Sequence, residues 1–519
     1  MDADVVVIGS GAGGLAAAVA LARAGRRVWV LEQHTLPGGW CHSFDLDGYR
    51  FSPGVHYLGQ LGPGGALRQL FEGLGVDLSF RELDPDGYDQ VHIGAFRFAL
   101  PRGREALTER ACAAFPSDAD AIRTFLDRIA AMAAELVRAQ DVTGWSALAL
   151  PARAPTLARF GARSLAHLLR DVRDPTARAV LGIQAGDHGL PPSRVPAGLH
   201  AAVMGHYLDG AWYPQGGGRA LPKAMIKVLR AHGGQIRTGA RVASIVLERG
   251  EVRGVQLEDG TAIRAATVIS NADPHVTAGL LGDHVPLRWR LRLRATRYSA
   301  STLSLFLAAD VDPRSLGITS GNRWILRSAD LEQMYAHARD PDPLGRGPIP
   351  GAFLTCTTAK DPRERTDGVA TFEAFALVSH AAFARFADSP HDERPPEYHA
   401  LKRALADQVL DLLEADAPGL RGALRFEAIG SPLTNQRYVA ATDGAMYGTE
   451  KHLGQLGPLG WGPATPVPGL WMCGASSLGH GVATATLSGV QTAARVLGCR
   501  VRDVLAGGGT VTLASAEAA

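Results

Sequence analysis

Cysteine and lysine are both scarce in this chain. The five cysteines among 519 residues (Cys41, Cys112, Cys356, Cys473 and Cys499) are odd in number, scattered and never spaced as Cys-x-x-Cys. No zinc site or disulfide framework is therefore expected, and reduced thiols in a cytoplasmic protein are. Five of the 53 basic residues are lysine and the rest arginine, set against 51 acids for a net charge of +2. The positive charge forms no dense block and has no interleaved aromatics, so nucleic acid is not an expected partner. No apolar run reaches the ~18–20 uncharged residues needed to span a bilayer. Attachment to a membrane surface stays open, because an amphipathic helix lies in an interface without crossing it. The first apolar run begins within a few residues of Met1, which leaves no room for a signal peptide. At this length one core does not suffice, and two intertwined domains are expected.

What the chain does have is concentrated in its first forty residues. Val5–Ile8 is a short apolar run of the kind a buried parallel strand shows. Glycines follow at Gly9, Gly11, Gly13 and Gly14 in a Gly-x-Gly-x-x-Gly spacing, then a small-residue helix over 15–24. A second buried run, Val28–Leu31, ends in Glu32, 18 positions after Gly14. Gly9 permits a tight turn, Gly11 lets the backbone approach a pyrophosphate, and Gly14 lets helix and strand pack closely. The helix N-terminus offers free N–H groups and a positive dipole end to phosphate. An acid near the roughly 20-residue offset can accept from ribose hydroxyls.

Pro37-Gly38-Gly39 follows Glu32 almost at once, where a nicotinamide enzyme normally runs on into its next helix. This arrangement resembles the glutathione-reductase-type FAD fold, in which a second glycine pair lies against the cofactor, and so implies FAD. The fold class expected is α/β, with an FAD-binding Rossmann domain interleaved with a mixed-sheet and helical substrate domain.

The rest of the chain divides by pattern. Residues 1–66 form the first FAD-binding part and include a hairpin, 43–46 with 49–52, turned at Asp47-Gly48. Residues 67–210 carry apolar residues at three- and four-residue spacing, as at 121–140 and 164–181, and read as a mostly helical insertion covering a substrate cavity. Residues 211–275 return to short strands, with 242–247 and 252–257 joined through Arg249-Gly250 in a meander that ends in the buried run Thr267–Ser270. Residues 276–428, with strand-like runs at 302–307, 353–357 and 370–377 and a helix over 399–414, belong to the substrate domain. Residues 429–506 close the FAD domain with a strand, a Gly-rich turn and a small-residue helix from Val482. The tail 507–519 reads as disordered.

Several segments then resemble one family. LEQHTLPGGWCHSF and GVHYLG, HYLDGAWYPQGGG at 206–218, TTAKDP at 357–362 and SPLTNQRYVAATDGAMYGTEKHLGQL at 431–456 are similar to the all-trans-retinol 13,14-reductases (retinol saturases). Those enzymes stand with the carotenoid isomerases and phytoene desaturases. The resemblance implies an FAD-dependent oxidoreductase acting on a carbon–carbon double bond of a long apolar conjugated polyene. The reaction this resemblance implies is saturation, with reductive ring closure of a polyene natural product as a variant. Desaturation and redox-neutral isomerisation use the same kind of site and stay open, as does a non-catalytic flavin-bearing polyene-binding protein. One departure is that Gly474 is followed by Ala475-Ser476-Ser477 where many relatives carry an acid.

The candidate cofactor residues are Gly9, Gly11, Gly13, Gly14, Glu32, Gln33, Gly38, Gly39, Trp40, Val242 (through its backbone, to adenine), Gly474, Gly481 and Val482. Trp40 reads as a packing residue rather than a substrate platform. No second dinucleotide turn is present, so NAD(P)H stands as a candidate external reductant that would visit the flavin. Adding hydrogen to a double bond also needs an acid for the second carbon. The candidates are His56, Tyr57, Tyr213, Tyr447 and His480, each with a structural alternative: a turn hydrogen bond for His56, wall packing for Tyr57, a turn aromatic for Tyr213. Asp187-His188 reads as a solvated loop rather than a lid pair.

Overall fold

Val5–Ile8 is buried along its whole length, which is why its four residues are all apolar. In the computed structural model, which describes residues 2–139, 150–364 and 367–516, this strand is the centre of a five-stranded parallel sheet. The order is Leu470–Met472, Thr267–Ser270, Val5–Ile8, Val28–Leu31, Gln235–Arg237. Three distant stretches of chain therefore complete one sheet. The opening helix, Ala12–Arg23, starts earlier than the expected 15, so Gly13 and Gly14 lie inside its first turn. It packs on the closing helix, Val482–Leu497, at glycine: a Cβ on Gly489 would collide with the Gly13 carbonyl.

The meander is Val242–Glu248, Glu251–Leu257 and Ala262–Arg264, with Arg249 and Gly250 both at positive φ in the turn. The second large sheet has seven strands in the order Leu424–Gly430, Ser301–Ala309, Ala370–Val378, Gly351–Cys356, Asn322–Leu326, Asp89–Ile93, Phe96–Leu100. All neighbours run antiparallel except Asn322–Leu326 and Asp89–Ile93. The long helix Pro396–Asp416 buries Leu405, Val409 and Leu412 in the core on that sheet.

Three expectations are corrected. The segment 67–210 is not mostly helical throughout: Leu78–Glu82, Asp89–Ile93 and Phe96–Leu100 are strands, and two of them complete the seven-stranded sheet. Their period-2 alternation (Val91, Phe98 and Leu100 buried) is too short for a helical pattern to reveal. The helix expected over 164–181 breaks into Leu165–Leu168 and Pro175–Gly182, because Pro175 supplies no N–H to continue a turn and sits instead at the first position after the Asp174 cap. The tail is not disordered through 516: Val511–Ala514 pairs parallel with Leu78–Glu82 and buries Val511. Gln140, the expected end of the helix Ala119–Ala139, and residues 517–519 lie outside the described residues.

Candidate functional site: a glycine groove and a buried acid cluster

The glycine turn is held from below by one side chain. A Cβ on Gly11 would come within 2.7 Å of Asn271 Nδ2, one on Gly13 within 2.8 Å of Asn271 Oδ1, and one on Gly14 would collide with the Gly9 carbonyl. Asn271 follows Thr267–Ser270 and donates its own N–H to the Ile8 carbonyl at 2.8 Å, so it sits at the C-terminal edge of the sheet directly under the turn. Gly474, at φ +92°, packs on the same Asn271 and donates to Ser488 Oγ at 2.7 Å. Gly39 lies across the turn, with a Cβ placed 3.2 Å from Gly11 Cα. Four separate stretches thus meet around the Asn271 side chain, at glycines that bring no side chain of their own.

Two features suit this groove to a pyrophosphate-bearing cofactor. The Ala12–Arg23 helix has Gly11 as its N-cap with no side-chain cap and no acid in its first turn, leaving its N–H groups and dipole for an anion. Beyond Glu32 a cleft of about 660 Å³ is lined by Gln33, His34, Ala240–Arg241, Leu257–Glu258 and Tyr438, a volume that takes a small-molecule ligand. Gln33 lines that cleft and donates to the Arg437 carbonyl at 3.4 Å. Val242 is buried at the start of the meander beside it. Bound there, a flavin would be held by Gly11 and Gly39, Gly474, and the N-termini of the Ala12–Arg23 and Val482–Leu497 helices. The latter is capped by Gly481 without a side-chain bond and leaves Val482 partly exposed.

Glu32 does more than the ribose role expected of it. Its Oε2 accepts from Ser10 N–H at 2.9 Å and Ser10 Oγ at 2.6 Å, and its Oε1 accepts from His34 N–H at 2.9 Å. Ser10 Oγ in turn accepts from Gly38 N–H at 2.9 Å. Glu32 therefore ties both glycine stretches together, and only part of its acceptor capacity is left for a ligand. Trp40 packs against Gly54, the packing alternative read for it.

The five candidate acids fall into two adjoining groups. His56 Nδ1 is 3.3 Å from Glu373 Oε2 without a hydrogen bond between them, and Glu373 Oε1 accepts from Ser52 N–H. Lys360 Nζ donates to the His56 carbonyl and, at 2.5 Å, to Asn322 Oδ1, and lies 5.4 Å from the Tyr213 ring centre. Gly217, at φ +74°, brings the chain against Ser52 and Ser43, whose hydroxyls accept from Gly218 and Arg219 N–H. That contact gives Gly217 and Gly218 a structural job.

On the other side of the His56-Tyr57 dipeptide, the Tyr57 hydroxyl donates to Asp187 Oδ2 at 2.8 Å and its ring stacks on Tyr207 with centroids 4.3 Å apart. His188 makes an edge contact with His480, which is 4.8 Å from the Tyr447 ring. Asp187-His188 is not a solvated loop: it ends the 3₁₀ segment Ile183–His188, His188 is wholly buried, and Asp187 is half-buried.

Burial governs the charges here. Desolvation, reinforced by Asp89, pushes Asp187 up to about 8. Desolvation pushes Asp89 up to about 7, against hydrogen bonds from Asn322 and Gln184 that pull it down. Desolvation pushes Lys360 down to about 7, and does the same to Lys451, whose Nζ donates to Thr449 Oγ1 at 2.8 Å. The Tyr57, Tyr213 and Tyr447 phenols are raised and keep their protons. His480 is a correction: desolvation, then Lys451, push it down to about 3, so at neutral pH it is an uncharged ring and not the imidazolium acid expected.

An aromatic wall joins the two groups. Trp324, Phe353 and Phe375 pack ring on ring, the His56 ring is 5.3 Å from Phe353, and Trp324 lies so close over Gly186 that any Cβ there would collide. Behind these rings the enclosed apolar void is about 10 Å³, room for one water at most.

Sequence reasoning missed Asn271, Asp89, Lys360, Glu373 and Lys451. Two of the chain's five lysines are buried outright, Lys360 at 0% and Lys451 at 2% exposure. Nothing in the local pattern distinguishes a buried lysine. Both fall, however, inside the quoted family-like segments TTAKDP and GTEKHLGQL, and that was the available signal.

Comparison with known proteins adds four findings. The model of the flavin containing amine oxidoreductase family matches residues 12–369. All-trans-retinol 13,14-reductase of Rattus norvegicus is 29% identical over 501 residues, covering 91% of this chain and 82% of that one. Chloroplastic prolycopene isomerase 1 of an Oncidium hybrid cultivar is 27% identical over 517 residues, covering 95% and 83%. Among solved structures, putrescine oxidase has the same fold, with a TM-score of 0.64 at 18% identity over 96% of this chain and 99% of that one. Among the described residues no helix is long and apolar enough to cross a membrane. The likeness read from scattered segments thus extends over nearly the whole chain, and the protein is a flavin-dependent oxidoreductase belonging to the flavin containing amine oxidoreductase family.

Proposed function

We propose that this protein is an FAD-dependent reductase of a carbon–carbon double bond in a long, apolar, conjugated polyene, using an external two-electron donor of which NAD(P)H is the first to test. When bound, the flavin supplies the hydride chemistry. The chain's own residues bind, exclude water and hold a proton. The observation that carries the reading is a protonated carboxyl paired with a phenol beside an aromatic wall: Asp187 Oδ2 and Tyr57 Oη 2.8 Å apart, with Trp324, Phe353 and Phe375 alongside. A carboxyl held at about 8 keeps its proton at neutral pH; as the Tyr57 hydroxyl turns to give its own proton to a substrate carbon, it takes the carboxyl proton in return. Aromatic faces suit a flat conjugated chain and repel water. His56, beside Glu373 and held by Lys360 through its carbonyl, borders the same wall.

The relatives named all-trans-retinol 13,14-reductase support a reductive direction. Those named prolycopene isomerase support a second reading in which the double bond is rearranged without net redox change. A panel of polyenes incubated with reductant and analysed by mass spectrometry separates the two: a gain of two hydrogens supports reduction, and a changed retention time at constant mass supports isomerisation. No product from any polyene removes both.

A further inference from the structure

A short helix away from the groove carries an unusual surface. Leu287–Ala295 (LRWRLRLRA) buries only Trp289 and Leu293, which pack into the core beside the meander with Trp461. At 3.6 residues per turn, the face opposite those two is Leu287, Leu291 and Ala295. Leu287 is 64% and Leu291 56% exposed. Arg288 and Arg292 run down one flank of this leucine strip and Arg290 and Arg294 down the other, all exposed. Arg292 is anchored by its guanidinium over Trp461 at 4.2 Å and by donation to the Leu459 carbonyl at 2.8 Å. Arg288, Arg290 and Arg294 form no ion pair among the described residues. Leu459, whose carbonyl Arg292 reaches, is itself 63% exposed beside the helix.

We propose that this helix docks the protein on a bilayer surface bearing anionic headgroups. The helix lies flat, Leu287, Leu291 and Leu459 enter the acyl boundary, and the flanking arginines reach sideways to lipid phosphates. Charge selects this occupant over two others. A second copy seated isologously on the strip would set arginine flank against arginine flank. A nucleic acid would satisfy the arginines but press phosphates onto leucines, with no aromatic ring among the exposed residues of the helix to stack a base.

The test is co-sedimentation of the flavin-loaded, full-length protein with phosphatidylcholine vesicles made with or without phosphatidylglycerol, at low and high salt. The wild type is expected to pellet with the anionic vesicles and to be released by salt. L287S/L291S should weaken that binding roughly tenfold or more, and R288E/R290E/R294E by roughly a hundredfold. Near-UV circular dichroism and flavin absorbance should be unchanged in both, because Trp289 and Leu293 are untouched; if the serine variant misfolds, the arginine variant decides. Vesicle binding indifferent to either variant overturns the proposal. So does a dimer in light scattering that L287S/L291S dissolves, or binding to an oligonucleotide in place of vesicles.

Discussion

The glycine groove and the acid cluster are built on opposite plans. The groove is backbone on backbone: Gly9, Gly11, Gly13, Gly14, Gly39 and Gly474 meet over one asparagine, and their common feature is that almost nothing projects from them. The acid cluster is side chain on side chain: Asp89, Asp187, Lys360, Tyr57 and Tyr207 come from separate segments and alter one another's charge. A groove of the first kind is intolerant of added atoms and indifferent to pH. A cluster of the second kind tolerates shape-conserving changes but depends on every proton.

The sharpest way to break that contrast is to add one methyl to the groove. In G14A the Cβ collides with the Gly9 carbonyl, so flavin content per protein should fall at least tenfold, about 1.4 kcal/mol of binding or more. Full yellow colour after purification would mean that the groove is looser than its packing indicates.

Next comes D187N, which keeps the shape and removes the proton. Turnover of a polyene should fall by roughly 10²–10⁴-fold with flavin retained. In the wild type, activity that draws on protonated Asp187 should decline as pH rises through about 8, and the Asn variant should lack that limb. The same group sets a stability slope. Its folded value lies above the ~3.9 of an unfolded chain, so its contribution is complete below about pH 4 and lost as pH climbs to about 8. Lys360 and Lys451, held down at about 7, act in the other window: their contribution is present above ~10.4 and lost as pH falls toward 7. Urea midpoints of D187N and wild type across pH 4–9 check the first slope; parallel curves would contradict it.

E32A straddles the two plans, because one side chain ties Ser10, His34 and, through Ser10, Gly38. Losing a buried charged acceptor should cost about 1.5–3 kcal/mol and release flavin on dilution, read by fluorescence of the free cofactor. The smallest effect is expected for H56F. The His56 ring meets only Glu373 and the wall, while its carbonyl keeps Lys360, so flavin should stay and substrate-dependent reoxidation should slow by roughly tenfold. An unchanged rate would make His56 a wall residue alone.

The same contrast explains what the sequence could reveal. The groove was legible because glycine spacing, an apolar strand and an acid at a fixed offset are local signals with a local cause. The meander and the small-residue closing helix were legible for the same reason. The strands Asp89–Ile93 and Phe96–Leu100 were not, because five-residue alternations inside a helical segment are decided by the distant Asn322–Leu326 they pair with. Nor was the charge of His480: an imidazole reads as titrating near 6.5 until its burial and Lys451 are known. Tyr57 and Asp187 lie 130 positions apart, and only the folded chain makes them partners.

The most direct measurement is to reduce the flavin-loaded protein anaerobically, add a conjugated polyene, and follow both flavin colour and product mass. The expected result is recovery of the oxidised spectrum together with a product heavier by two hydrogens. Flavin that stays bleached with every polyene offered, or that recovers without any change in the polyene, contradicts it.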